Sequence, residues 1–128
     1  MTRTAISRPV APAAIGPYSQ AIAIDDLVFC SGQLGLDPAT GELAAGVEAQ
    51  AERSMQNLTA VLAEAGLTFD DVLKTTIFLA DMGDFAAVNA VYGRYMPDPP
   101  PARSTIQAGA LPKGGLVEIE AIASRRGR

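Results

Sequence analysis

The residues best placed to do chemistry lie in Pro99–Glu120, which reads PPPARSTIQAGALPKGGLVEIE. The stretch holds one arginine, Arg103, and two carboxylates, Glu118 and Glu120. A planar guanidinium grips a carboxylate through two parallel hydrogen bonds, a fork that lysine lacks. A carboxyl group can place a water and shuttle protons when its pKa lies near the working pH. Burial raises that pKa and a neighbouring arginine lowers it. The flanking pattern predicts two strands joined by a reversal. Residues around Arg103 alternate, Leu111-Pro112-Lys113-Gly114-Gly115 has turn chemistry, and residues around Glu118 alternate again. Side chains repeat every second residue in a strand. Arg103, Thr105 and Gln107 therefore share one face. Glu118 and Glu120 share another, with Val117, Ile119 and Ala121 behind them. On neighbouring strands these charges would make either a charged site or a surface ion pair. The pattern alone leaves the ion pair as the simpler account.

The rest of the chain supplies the elements that must hold these strands. Residues 1–17 carry Pro9, Pro12, Gly16 and Pro17 and read as an extended entry with a short strand near Ala5. Tyr18–Ile24 alternates as a strand. Asp25-Asp26 turns it into a second strand at Leu27–Ser31, giving a hairpin that Gly32 ends. Leu36–Gly41 is a loop. From Gly46 to Gly66, Ala51, Met55, Leu58, Leu62 and Ala65 recur at helical spacing, with Gln50, Glu52, Arg53, Gln56 and Glu64 on the polar side. Gly66 is placed to stop the helix. Val72–Leu79 is rich in Thr and Ile and alternates Leu73, Thr75, Ile77 and Leu79 as a strand. Asp81 or Asp84 caps a second helix bearing Phe85, Val88, Val91, Tyr92 and Tyr95, which Pro97–Pro101 ends. The order is β-β-α-β-α-β-β with an extra strand at the start. Residues 1–128 read as a single domain. Two helices cover one face of one sheet, so the other face meets solvent or another subunit.

Composition narrows the function classes. Of 128 residues, 48% are apolar and 19% are charged, against about 25% charged in an average domain. Such a surface fits burial in an oligomer, although alanine supplies much of the apolar surplus. The net charge is −4, which offers nucleic acid no basic footprint. The basic cluster of Arg125, Arg126 and Arg128 reads as a solvated tail. The chain has no histidine and one cysteine, Cys30. That excludes, within one chain, histidine-based triads, histidine metal sites, cysteine-cluster zinc sites and a disulfide. Cys30 reads as a small buried thiol. No signal-peptide core or membrane-spanning apolar run is present in the sequence, so a cytoplasmic protein is expected.

An ordered set of motifs then carries a resemblance. It comprises Ile15-Gly16-Pro17-Tyr18-Ser19-Gln20, Ser31-Gly32-Gln33, Asp37-Pro38-Ala39-Thr40-Gly41, Asn57-Leu58, Val72-Leu73-Lys74-Thr75-Thr76, Phe85-Ala86-Ala87-Val88-Asn89, Pro101-Ala102-Arg103-Ser104 and Glu118-Ile119-Glu120-Ala121-Ile122-Ala123. From about Pro12 to Ala123 the chain resembles the Rid (YjgF) family of reactive-intermediate enamine/imine deaminases. The resemblance implies an α+β, chorismate-mutase-like fold: one mixed sheet with two helices on one face, assembled as a homotrimer with clefts between subunits. It implies hydrolysis of 2-imino acids, such as 2-iminopropanoate and 2-iminobutanoate, to 2-keto acids and ammonia. It implies no metal and no organic cofactor. Family members have also been described as ribonucleases or translation inhibitors. A trimer that binds a keto acid or other carboxylate without turnover is a further alternative.

Residue by residue, the resemblance gives Arg103 the substrate carboxylate and Glu118 the water. Glu120, about 7 Å further along the strand, is then structural or at an interface. Tyr18, Ser31, Gly32 and Asn89 match other cleft positions. Each also has an ordinary reading, as a half-buried strand tyrosine, a strand-end turn, or a helix residue contacting a neighbour. Thr105 stands where the family often has cysteine, and it keeps a small polar group on the Arg103 face without a thiol's reactivity. Two departures bear on substrate range. The Met96–Pro101 link is short, and Gln107-Ala108-Gly109-Ala110 lacks the basic residue common just before Leu-Pro-Lys.

Overall fold

The computed structural model describes residues 2–125. Six strands and two α-helices form it: β1 (Thr4–Ile6), β2 (Ala21–Ile24), β3 (Leu27–Leu34), α1 (Val47–Glu64), β4 (Val72–Leu79), α2 (Phe85–Gly93), β5 (Ala102–Gln107) and β6 (Val117–Ser124). The expected element order, including the extra first strand, is present. Of the basic tail, Arg126 and Arg128 lie outside the described residues.

One mixed sheet runs β1-β2-β3-β6-β4-β5. The β2–β3 hairpin turns on Asp25-Asp26, with Ile24 opposite Leu27 and Asp25 at φ 51°. Asp tolerates this left-handed conformation better than most residues do. β6 inserts between β3 and β4, antiparallel to both. β4 and β5 are parallel, and α2 forms the crossover that a parallel pair requires. The sequence predicts β5 and β6 as neighbours across a reversal, and here the structure differs. β4 separates them. The Pro112–Gly114 segment is a short 3-10 turn on the way to the middle of the sheet.

α1 buries Ala51, Met55, Leu58, Val61 and Leu62 against the sheet, as the helical spacing requires. It ends at Gly66, whose φ of 77° is open to glycine without strain. Met55, Leu58, Ile77, Leu79, Val117 and Ile119 are fully buried in the layer between helices and sheet. The polar residues of α1 are not all on the solvent side. Gln50 is buried, donates to the Ala44 carbonyl and accepts from the Leu116 N–H. Buried Asn57 donates to the carbonyls of Leu34 and Leu36. Both satisfy backbone groups that the loops leave unpaired.

Two irregularities reset the alternation. The β3–β6 register shifts between Cys30 and Gln33, and the β4–β6 register shifts between Val72 and Lys74. A bulge adds one residue and changes which face follows. Thus Val72, Thr75, Ile77 and Leu79 are buried, while Leu73, expected on that face, is 52% exposed. Gly32 does not end β3, because the strand continues to Leu34. The strand expected to begin at Tyr18 begins at Ala21, leaving Tyr18 in the entry segment. Cys30 is buried as expected, and burial pushes its thiol up to about 12.

Among the described residues no helix covers the opposite sheet face. Leu27, Phe29 and Ile106 are exposed on it, and Ile22, Phe78 and Ile122 are partly exposed.

Buried Gln20 fastens the entry segment to this frame. Its side chain accepts from the Arg8 N–H at 2.6 Å and donates to the Pro12 carbonyl at 2.7 Å. Gln20→Leu strips both bonds and leaves polar backbone poorly paired, so a loss of about 2 kcal/mol is expected in urea unfolding. A wild-type midpoint would show that the segment is held by other contacts.

Candidate functional site

The seven candidate residues fall into two groups. Tyr18, Ser31, Gly32 and Glu118 line one cavity of about 570 Å³, together with Glu120 and Lys113. Asn89 and Arg103 line a separate open groove of about 560 Å³, with Tyr92 and prolines of the Pro97–Pro101 link. Thr105 stands two residues beyond Arg103 on the same strand face.

Strand order and parity cause the separation. Across β4 and β5, Arg103 pairs with Thr75 and Thr105 with Ile77. Thr75 and Ile77 are buried under the helices, so Arg103 and Thr105 rise on the helix-covered face. Across β4 and β6, Glu118 pairs with Phe78 and Glu120 with Thr76. Those residues belong to the open face. Arg103 and Glu118 therefore project from opposite faces of one sheet. The ion pair left open by the sequence does not form: among the described residues no carboxylate lies within 4 Å of Arg103.

In the first group, Glu118 lies against Gly32. A Cβ on Gly32 would come within 2.7 Å of Glu118 Cδ. Gly32 sits at the β3 irregularity and leaves the room in which the carboxyl group rests. That role replaces the strand-end one inferred for it. Ser31 donates its hydroxyl to the Ser19 carbonyl at 2.6 Å, and its backbone N–H goes to Gln20. Ser31 thus fixes the segment behind Tyr18, and its oxygen can still accept from a ligand. Tyr18 is 52% exposed, and Ile15 beside it is 73% exposed. Both line the cavity as a largely exposed wall. Burial holds the Glu118 carboxyl above the usual range, and the nearby Glu120 charge raises it further. Lys113 donates to the Gly41 carbonyl at 3.4 Å. A cavity with two carboxylates and one lysine has no fork for a substrate carboxylate.

The second group supplies that fork. Arg103 Nη1 donates to Asn89 Oδ1 at 2.6 Å. Its Cζ lies 5.5 Å from the Phe85 ring centroid and 5.1 Å from that of Tyr92. Asn89, poor in a helix by propensity, is accounted for by this bond. Among the described residues, Thr105 Oγ1 is buried with no hydrogen-bond partner. Sequence reasoning missed Phe85 and Tyr92 as site residues. Their helical spacing marked them only as core, although Phe85, Asn89 and Tyr92 at i, i+4 and i+7 share a helix face. Among the described residues no group of three or more His, Cys, Asp or Glu is placed to hold a metal ion. No helix among them is long and apolar enough to cross a membrane.

Comparison with known proteins adds an independent line. Residues 8–125 match the family model described as Endoribonuclease L-PSP. Protein DfrA of Myxococcus xanthus is 60% identical over 126 residues, spanning 96% of both chains. The 2-iminobutanoate/2-iminopropanoate deaminase of Capra hircus is 52% identical, over 96% of this chain and 90% of its own. The crystal structure of RidA from the Antarctic bacterium Psychrobacter sp. superposes with a TM-score of 0.92 at 46% identity, over 94% of this chain and 98% of the other. The order of motifs, the mixed sheet and these matches agree, and the chain belongs to the Rid (YjgF) family, the group that the L-PSP model describes.

Proposed function

We propose that this chain hydrolyses small 2-imino acids to 2-keto acids and ammonia, in clefts between the subunits of a chorismate-mutase-like homotrimer. The observation that carries the reaction is the 52% identity, over nearly the whole chain, to a 2-iminobutanoate/2-iminopropanoate deaminase. The opposite-face geometry supports the assembly. Arg103 and Glu118 of one chain cannot meet on one small molecule, but Arg103 of one subunit can face Glu118 of the next. The uncovered apolar sheet face, with Phe29 and Ile106 exposed, gives such an assembly a surface to bury.

In this cleft Arg103 holds the substrate carboxylate through its fork. Asn89 keeps the fork aimed. Glu118 takes a proton from water as the water oxygen bonds to the imine carbon. The proton passes to the nitrogen, giving a carbinolamine. The carbinolamine O–H proton then moves to the nitrogen by way of Glu118 as the C–N bond breaks, so ammonia leaves and the keto group remains. The raised pKa of Glu118 brings proton gain and loss closer to neutral pH, which suits both transfers. Tyr18 and Ser31 line the water side, and Thr105 lies beside the fork. The ribonuclease reading attached to the family description has less support here. The chain has no histidine and a net charge of −4. Keto-acid binding without turnover is the outcome if ligands stabilise the protein and no imine is consumed.

The direct test generates imines with an amino-acid oxidase and follows their decay. Arg103→Ala should lower kcat/KM by about 100-fold through loss of charge-assisted bonds. Glu118→Gln should lower kcat by about 1,000-fold. Mixing chains carrying these two changes tests the cleft itself. At equal amounts, about a quarter of clefts regain both groups, so activity should return to about that fraction of wild type. A site within one chain would recover nothing.

Gly32→Ala separates placement from folding. The added methyl meets the flexible end of Glu118 and displaces it. Activity should fall by about 100-fold, with the thermal midpoint little changed.

The pH–rate profile reports Glu118 directly. As a base it must be ionised, so activity rises with pH through its pKa, above the ordinary value of 4.5. Glu120→Gln removes a raising charge, and the acid limb should move to lower pH. An unmoved limb would assign the titration to another group.

A further inference from the structure

We propose that Tyr92, anchored by Thr75, is a positioning residue that sets the guanidinium of Arg103 in its carboxylate-gripping pose. The inference deepens the reading above and rests on it for substrate. Tyr92 lies outside the motifs, and Thr75 enters them as a strand residue with no part in the site.

Arg103 is exposed at the edge strand β5. An arginine in that setting samples many rotamers, and a ligand must order it on binding. Here three residues of α2 restrain it. Phe85 and Asn89 are themselves exposed, with Phe85 at 37%. Such side chains can move with the group they hold. Tyr92 differs, being 5% exposed, with its ring 5.1 Å from the guanidinium carbon. That spacing suits attraction between the cation and the ring face.

The hydroxyl of Tyr92 explains why the ring is fixed. It lies 2.6 Å from Thr75 Oγ1 in a buried pair. Thr75 is 1% exposed, and it is the register partner of Arg103 across the parallel β4–β5 pair. The bond therefore ties α2 to the same rung of the sheet from which Arg103 rises. Ring and guanidinium are referenced to one point of the backbone. A shift of α2 along the sheet would break this hydroxyl pair. No reacting atom needs to touch Tyr92, whose part is played through Arg103.

The test uses the full-length assembled protein with four variants. Tyr92→Phe keeps the ring and loses the anchor, and KM should rise about threefold with kcat unchanged. Tyr92→Leu removes the ring, and KM should rise about tenfold. Thr75→Val should reproduce Tyr92→Phe. The Tyr92→Phe/Thr75→Val pair should cost no more than either alone, because both remove one bond. Nitrogen-15 relaxation of the Arg103 Nε–H signal, assigned by its loss in Arg103→Lys, reads the restraint without any turnover. It should show lower order in Tyr92→Leu and Thr75→Val than in wild type. An unchanged KM and unchanged Arg103 order in folded Tyr92→Phe and Thr75→Val would overturn the proposal. A fall in kcat with Arg103 order unchanged would also overturn it, by assigning Tyr92 a structural role. If wild type consumes no imine, the reaction is wrong, and the relaxation data alone decide the positioning role.

Discussion

The parity of β4 governs where the chemistry of this chain ends up. β4 lies between the strand carrying the arginine and the strand carrying the glutamates. It pairs Thr75 with Arg103 on one side and Phe78 with Glu118 on the other. Positions 75 and 78 differ by an odd number, so their side chains leave opposite faces. A slip of one residue in the β4–β6 pairing would put both groups on one face. It would also turn the Val117, Ile119 and Ala121 side of β6 away from α1, and the core forbids that. Burial of the core thus fixes the separation of the charges. The separation in turn requires a second copy wherever one small substrate must touch both. In the proposed trimer, loss of contact at the apolar face would cost assembly and activity together.

Much of this was legible in the sequence because it is periodic. The buried stripe of α1, the Asp25-Asp26 turn and the glycine stop at Gly66 follow from local spacing and backbone preference. So does the division of β6 into Val117, Ile119 and Ala121 against Glu118 and Glu120. Strand order did not follow. A turn-rich segment between two alternating runs reads as a hairpin, and Leu111–Gly115 is such a segment. Nothing local announces that β4, thirty residues earlier in the chain, occupies the intervening place. The bulges were equally hidden. At Leu73 the alternation was read one residue out of phase, because the irregularity before Lys74 moves the buried set.

The candidate site shows the same division. Residue types made Arg103, Glu118 and Glu120 candidates and left an ion pair open, and the family resemblance chose the fork and the first glutamate. Supporting residues were less visible because their work is done by proximity. Gly32 leaves room for Glu118, which no composition or motif argument could state. Gln20, Gln50 and Asn57 bond to backbone groups of other segments, which a polar letter alone does not announce, and Gln50 reads by helical spacing as part of the polar side of α1. Tyr92 looked like core, which it is. Its second role exists only because Thr75 and Arg103 share a rung.

The two halves also differ in electrostatics, and the difference bears on how a composite cleft would operate. Within one chain, burial and Glu120 raise the Glu118 carboxyl, and no cation of the second group is near to oppose them. Bringing the Arg103 of a second subunit to Glu118 would by itself lower that pKa and weaken the carboxylate as a proton acceptor. A bound substrate carboxylate changes the balance. It takes up the guanidinium fork and cancels much of the positive field at Glu118. The glutamate then returns towards the raised pKa that its own surroundings impose. Proton transfer is best tuned only while a carboxylate occupies Arg103. An imine without a carboxylate would leave the guanidinium charge uncancelled and Glu118 a weaker base. Discrimination for 2-imino acids would therefore act on the chemical step as well as on binding.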